Sequence, residues 1–131
     1  MMDIMDEHTN ESKLQAMACW TLVNVALNAD CKAQLLSKGG LLPILRAMET
    51  HPNNYAVQFR GLCALINLVV PEPEEITQVI KRVQSAMETF SKDTRLMNRG
   101  CLVLQNLSLN GALSSLLTVF HTRRMLLKRQ L

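Results

Sequence analysis

Asn24, Asn67 and Asn106 recur at separations of 43 and 39 residues, each inside an otherwise apolar segment. A carboxamide offers both a donor and an acceptor, which suits it to hold the backbone of an extended peptide. Helical periodicity of 100° per residue extends each asparagine into a line of neighbours. Trp20, Met17 and Lys13 fall near Asn24; Cys63, Arg60 and Ala56 fall near Asn67; Leu102, Arg99 and Arg95 fall near Asn106. The lines carry four cations, Lys13, Arg60, Arg95 and Arg99, and no Asp or Glu. Guanidinium groups match carboxylates and phosphates in a two-pronged geometry. The expected peptide-binding set is therefore Trp20, Asn24, Arg60, Asn67, Arg99 and Asn106, with an acidic or phosphorylated ligand. Basic peptides, which need acidic partners, are disfavoured. The residues also allow a second reading: asparagines that tie neighbouring helices together, and arginines that are simply solvated.

Other chemistries find little support. His8 and His51 lie one repeat apart, so turn capping suits them better than a shared metal. Cys19, Cys31, Cys63 and Cys101 form no CxxC pair. Their apolar surroundings predict buried, reduced thiols in a cytoplasmic or nuclear protein. There is no Ser/His/Asp set, no glycine-rich phosphate loop, and no carboxylate pair beside a nucleophile. The sequence thus predicts no catalytic residues, no metal and no cofactor. Net charge is only +3, without a dense Lys/Arg run in the repeats, which disfavours nucleic acid. The N-terminus is acidic and unlike a signal peptide, and the longest apolar stretch, residues 61–70, is too short to span a membrane.

The elements that must position these residues follow from an internal repeat. Residues 18–25, 61–68 and 100–107 align as small-x-x-x-apolar-x-Asn-apolar, and Met5, Met48 and Met87, each followed by an acidic residue, keep the same two offsets. Helices are expected over 1–7, 12–28, 30–38, 41–50, 55–69, 75–90 and 94–109. A break at Gly39-Gly40 precedes a restart near Pro43, and residues 71–75 form a connector. His51-Pro52-Asn53-Asn54 is a turn, and residues 9–12 and 91–94 supply capping candidates at matching positions. Ala18, Leu22 and Val25 mark the core stripe, and Ala18, Gly61 and Gly100 let helices approach closely.

Leu14–Ala26 resembles the third helix of an armadillo repeat, and Cys31–Leu45 resembles the first and second helices of the next. His51-Pro52-Asn53-Asn54 followed by Val57-Gln58 is similar to a variant in large solenoids of unicellular eukaryotes and leucine-rich-repeat kinases. The resemblance covers about residues 4–110. It implies an all-α fold, a right-handed α-solenoid (an armadillo-like superhelix) of about two and a half repeats, with three-helix units whose third helices line a groove. It implies a protein-binding scaffold or adaptor rather than an enzyme. The alternative is a regulatory segment of a larger signalling enzyme, a kinase or ubiquitin ligase. In some branches of the family a groove Trp and Asn hold an extended peptide; here only Trp20–Asn24 has both, and the Trp position becomes Cys63 and Leu102.

The expected organisation is a repeat region over 1–110, divided as 1–28, 29–70 and 71–110. A degenerate basic helix follows over 111–131, with Arg123, Arg124, Lys128 and Arg129. So short an array leaves apolar repeat ends uncovered, which predicts marginal stability or self-association of the isolated chain.

Overall fold

The computed structural model describes residues 1–68 and 73–109. Among them are seven helices and no strand: α1 (Met2–Glu7), α2 (Ser12–Val25), α3 (Ala29–Ser37), α4 (Leu41–Thr50), α5 (Tyr55–Leu68), α6 (Pro73–Thr89) and α7 (Thr94–Leu109). The all-α expectation holds. The expected degenerate basic helix over 111–131 lies outside the described residues.

Six of these helices form two layers. α1, α4 and α6 stack in one, and α2, α5 and α7 stack in the other, with α1 on α2, α4 on α5 and α6 on α7. Apolar spacing dictates which faces meet. Leu41, Ile44, Leu45 and Met48 form a buried stripe on α4, and Ile76, Val79, Ile80, Val83 and Met87 form its counterpart on α6. These stripes face α5 and α7, whose own buried stripes, including Leu62, Leu65, Leu96 and Val103, complete one continuous core.

Small residues set how close the layers come. Met48 lies so near Gly61 that a Cβ there would sit 2.7 Å from its Sδ, and Met87 meets Gly100 in the same way. This explains why the methionine and the small residue recur at the same offsets.

The helix ends follow local chemistry. The Asn54 Oδ1 accepts from the Val57 N–H at 3.1 Å, and the Asp93 Oδ1 accepts from the Leu96 N–H at 2.9 Å, opening α5 and α7. The expected cap in residues 9–12 does not form: Glu11 occupies the N-cap position without a side-chain bond to the helix and meets the His8 Nδ1 at 2.9 Å instead. α2 stops at Val25, three residues short of expectation. Asn28 has extended backbone, and its Oδ1 accepts from the Asp30 and Cys31 N–H groups to cap α3, so α2 cannot run through it. α3 closes on Gly39, whose φ of 72° is the left-handed conformation. The Gly40 N–H donates to the Leu35 carbonyl at 2.8 Å and the Gly39 N–H to the Leu36 carbonyl at 3.2 Å, a Schellman ending. α4 then begins at Leu41, with Pro43 in its first turn, where a missing N–H costs nothing.

The third repeat differs from the second. Where α3 and α4 are separate, the chain at 73–89 is one continuous helix. Among the described residues it therefore has two helices rather than the three implied by the armadillo resemblance.

Candidate binding face

Two buried glutamines hold the turns that lead into α2 and α5. The Gln15 Nε2 donates to the Met5 carbonyl at 2.9 Å and the His8 carbonyl at 2.7 Å. The Gln58 Nε2 repeats both bonds, to Met48 and His51, at 2.9 Å each. Each amide thus satisfies carbonyls at the end of the preceding helix, which have no partner within it. The His51 Nε2 crosses to the neighbouring turn and donates to the Thr9 carbonyl at 2.7 Å. The two histidines serve turn geometry, as expected, and no group of three or more potential metal ligands occurs among the described residues.

On this frame α2, α5 and α7 lie side by side. Lys13, Met17, Trp20 and Asn24 are all exposed on α2, and Ala18 and Leu22 are buried on its opposite side. Val25, expected in the core stripe, is half-buried. Ala56, Arg60, Cys63 and Asn67 are half-buried on α5, and Arg95, Arg99 and Leu102 are exposed on α7.

The structure brings some of the six predicted site residues together. The Arg60 guanidinium carbon lies 5.8 Å from the centroid of the Trp20 ring, a cation–π pairing across α2 and α5. The Asn24 Nδ2 turns to its own helix and donates to the Trp20 carbonyl at 3.2 Å. The Asn106 Nδ2 donates to the Ile66 carbonyl at 3.1 Å, tying α7 to α5 beside Asn67. Arg99 stands over Phe59, 6.0 Å from its centroid. Trp20–Arg60 and Asn106–Ile66 are thus two separate junctions along one face.

Sequence reasoning missed an aromatic cluster at one end of this face. Tyr55 stacks on Phe59 with centroids 5.6 Å apart and meets Phe90 edge-on at 5.5 Å. The Tyr55 hydroxyl donates to the Asp93 Oδ1 at 3.2 Å. Loss of hydration, followed by the Asp93 charge, pushes the Tyr55 phenol above its ordinary range. The signal was available: Tyr55 and Phe59 are four apart, and Phe90 occupies the repeat position of His51.

The cysteines depart from expectation. Cys19 is buried, Cys63 is half-buried, and Cys31 and Cys101 are exposed. An apolar run does not fix a face: Cys31 sits on α3, which has no fully buried residue, and Cys101 lies one step round α7 from buried Gly100. Burial pushes the Cys19 thiol up to about 12, partly offset by Arg60, and raises that of Cys63, partly offset by Arg99. Iodoacetamide at pH 8 is therefore expected to alkylate Cys31 in the native chain and to reach Cys19 only after unfolding, as read by peptide mass mapping. Equal labelling of the two would contradict the buried environment.

Among the described residues no helix is long and apolar enough to cross a membrane. Comparison of the chain with family models, with curated proteins and with solved structures returned no match.

Proposed function

We propose that the chain is a segment of an armadillo-like right-handed α-solenoid that acts as a protein-interaction scaffold. Its ligand is an extended acidic or phosphorylated peptide laid across α2, α5 and α7. The observation that carries this reading is the set of cations on that face: Lys13, Arg60, Arg95 and Arg99 lie on the asparagine lines without an acidic residue, and Arg60 is held against Trp20. A guanidinium braced on a ring loses less freedom when it binds an anion. The aromatic rings beside it add apolar contact area. Asn24 and Asn67 supply amides for the peptide backbone. The Asn106 Nδ2 already serves helix stacking, and its Oδ1 is the atom left to a ligand.

The reading is tested by fluorescence anisotropy on a panel of acidic, phosphorylated, neutral and basic peptides. Acidic and phosphorylated peptides should bind preferentially, and affinity should fall with salt. A hydrogen bond to a charged group contributes about 1.5–3 kcal/mol. The double variant Arg60→Glu, Arg99→Glu should therefore weaken binding by roughly a hundredfold or more, with the helical circular dichroism unchanged. Unaltered affinity in that variant, or equal binding of basic peptides, would sink the proposal.

A further inference from the structure

The internal repeat allows each position of the first helix pair to be compared with its counterparts further along. Ile4 on α1 corresponds to Ala47 and Ala86, which are buried at 3% and 1%, yet Ile4 is 49% exposed. Thr21 and Val25 on α2 are half-exposed, whereas their counterparts Ala64, Val103, Leu68 and Leu107 are all buried. Met17 is 66% exposed at the position of Arg60 and Arg99, both of which reach back to rings on the preceding helix or its neighbour. The surface of α4 and α5 that rests on α1 and α2 is thus the same surface that α1 and α2 leave open.

The chain also carries the complement of this surface. Along α7, Cys101 is exposed where its counterparts Cys19 and Leu62 are fully buried, and Leu102 is 38% exposed beside it. Charge does not separate the two ends: Lys13 is exposed on α2 at the repeat position of Arg95, and Arg99 reaches back over Phe59. The match between head and tail is carried by the apolar repeat positions.

We propose that the open face of α1 and α2 is a docking site for the α6–α7 end of a second copy of this chain, which would continue the stacking seen twice within one copy. Met17 then meets Leu102 and Cys101 of the neighbouring copy. Asn24 reproduces the Asn106–Ile66 bond by donating to the Gln105 carbonyl, which is the repeat counterpart of the Ile66 carbonyl. The contact is head-to-tail, so it does not close on itself at two copies. It requires no peptide ligand; the two surfaces share Asn24, whose Nδ2 serves the neighbouring copy and whose Oδ1 is the atom left to a peptide.

Sedimentation velocity on the 131-residue chain tests this. The weight-average mass should rise with concentration past that of a dimer. Met17→Glu alters the head and Cys101→Arg the tail, and Ile4→Glu is a second head variant; circular dichroism checks that each remains helical. Each variant alone should self-associate at least tenfold more weakly. An equimolar mixture of a head and a tail variant should form a one-to-one complex, because one intact head and one intact tail remain. A chain that stays monomeric at every concentration would overturn the proposal. So would loss of association in the head variants with none in Cys101→Arg and no complex on mixing, the signature of two heads meeting.

Discussion

Gly61→Leu should destabilise the chain by up to about 2–3 kcal/mol, because overpacking a filled core costs about 1–3 kcal/mol and occasionally more, less the at most about 1 kcal/mol that a better helix former returns. The collision is specific. A Cβ at 61 would lie 2.7 Å from the Met48 Sδ and 2.8 Å from its Cγ, so the methionine must leave its place rather than merely turn its tip. Met48 itself is 1% exposed, with no room to retreat toward solvent. The first repeat shows the permitted limit: Ala18 stands at the repeat position of Gly61 and Met5 at that of Met48, and both are buried. Urea unfolding should register the loss as a lower midpoint with little change in slope. Met48→Ala, destabilising on its own by about 2–5 kcal/mol, should lose much less when combined with Gly61→Leu. If the two changes simply add, steric contact between them is not the cause.

Gln58→Leu should cost about 1–3 kcal/mol, the cost of one buried acceptor left without a donor: the Met48 carbonyl loses its partner, whereas the His51 carbonyl keeps the Asn54 N–H at 3.2 Å. Leucine nearly preserves the volume, so the loss reports the two hydrogen bonds to the Met48 and His51 carbonyls rather than a cavity. The third repeat supplies the contrast. There the glutamine position is Met97 and the histidine position is Phe90, an apolar pair in place of a polar one. Met97→Leu should therefore change stability by less than about 1.5 kcal/mol, as for other volume-conserving swaps. Equal effects of the two substitutions in urea unfolding would remove the amide from the account of the turn.

Much of the fold was legible because the repeat is carried by packing positions. The Met48–Gly61 offset recurs at Met87–Gly100, and helix ends near residues 37, 41, 50, 55 and 94 follow glycine, proline and cap residues that act locally. The end of α2 was misjudged because Asn28 reads equally well as the last residue of one helix or the cap of the next; only the bonds to Asp30 and Cys31 decide it. The helical wheel placed Lys13, Trp20, Arg95 and Arg99 correctly on an open face, since that depends on periodicity alone. It did not place Cys31 or Cys101, whose exposure depends on what packs across from them. Nor did it anticipate that Asn24 and Asn106, equivalent in sequence, bond differently. Asn106 has a neighbouring helix to reach, and Asn24 has none before it. The glutamine clamps escaped notice because a conserved offset in two repeats is lost in the third.

Within the layer of α2, α5 and α7, the hydrogen bonds between neighbouring repeats lie at opposite ends of the two junctions. Between α2 and α5 the bond from His51 to Thr9 pins the end where the helices begin, and among the described residues none crosses from Asn67 at the far end. Between α5 and α7 the part-buried bond from Asn106 to Ile66 pins the end where the helices finish, leaving the start to ring contacts and an exposed tyrosine–aspartate bond. The two seams are fastened like panels of a folding screen, pinned by a main-chain carbonyl at the top of one and at the bottom of the next. A chain laid diagonally across the face would pass from the unpinned edge of the first seam to the edge of the second that is held by rings and one exposed hydrogen bond.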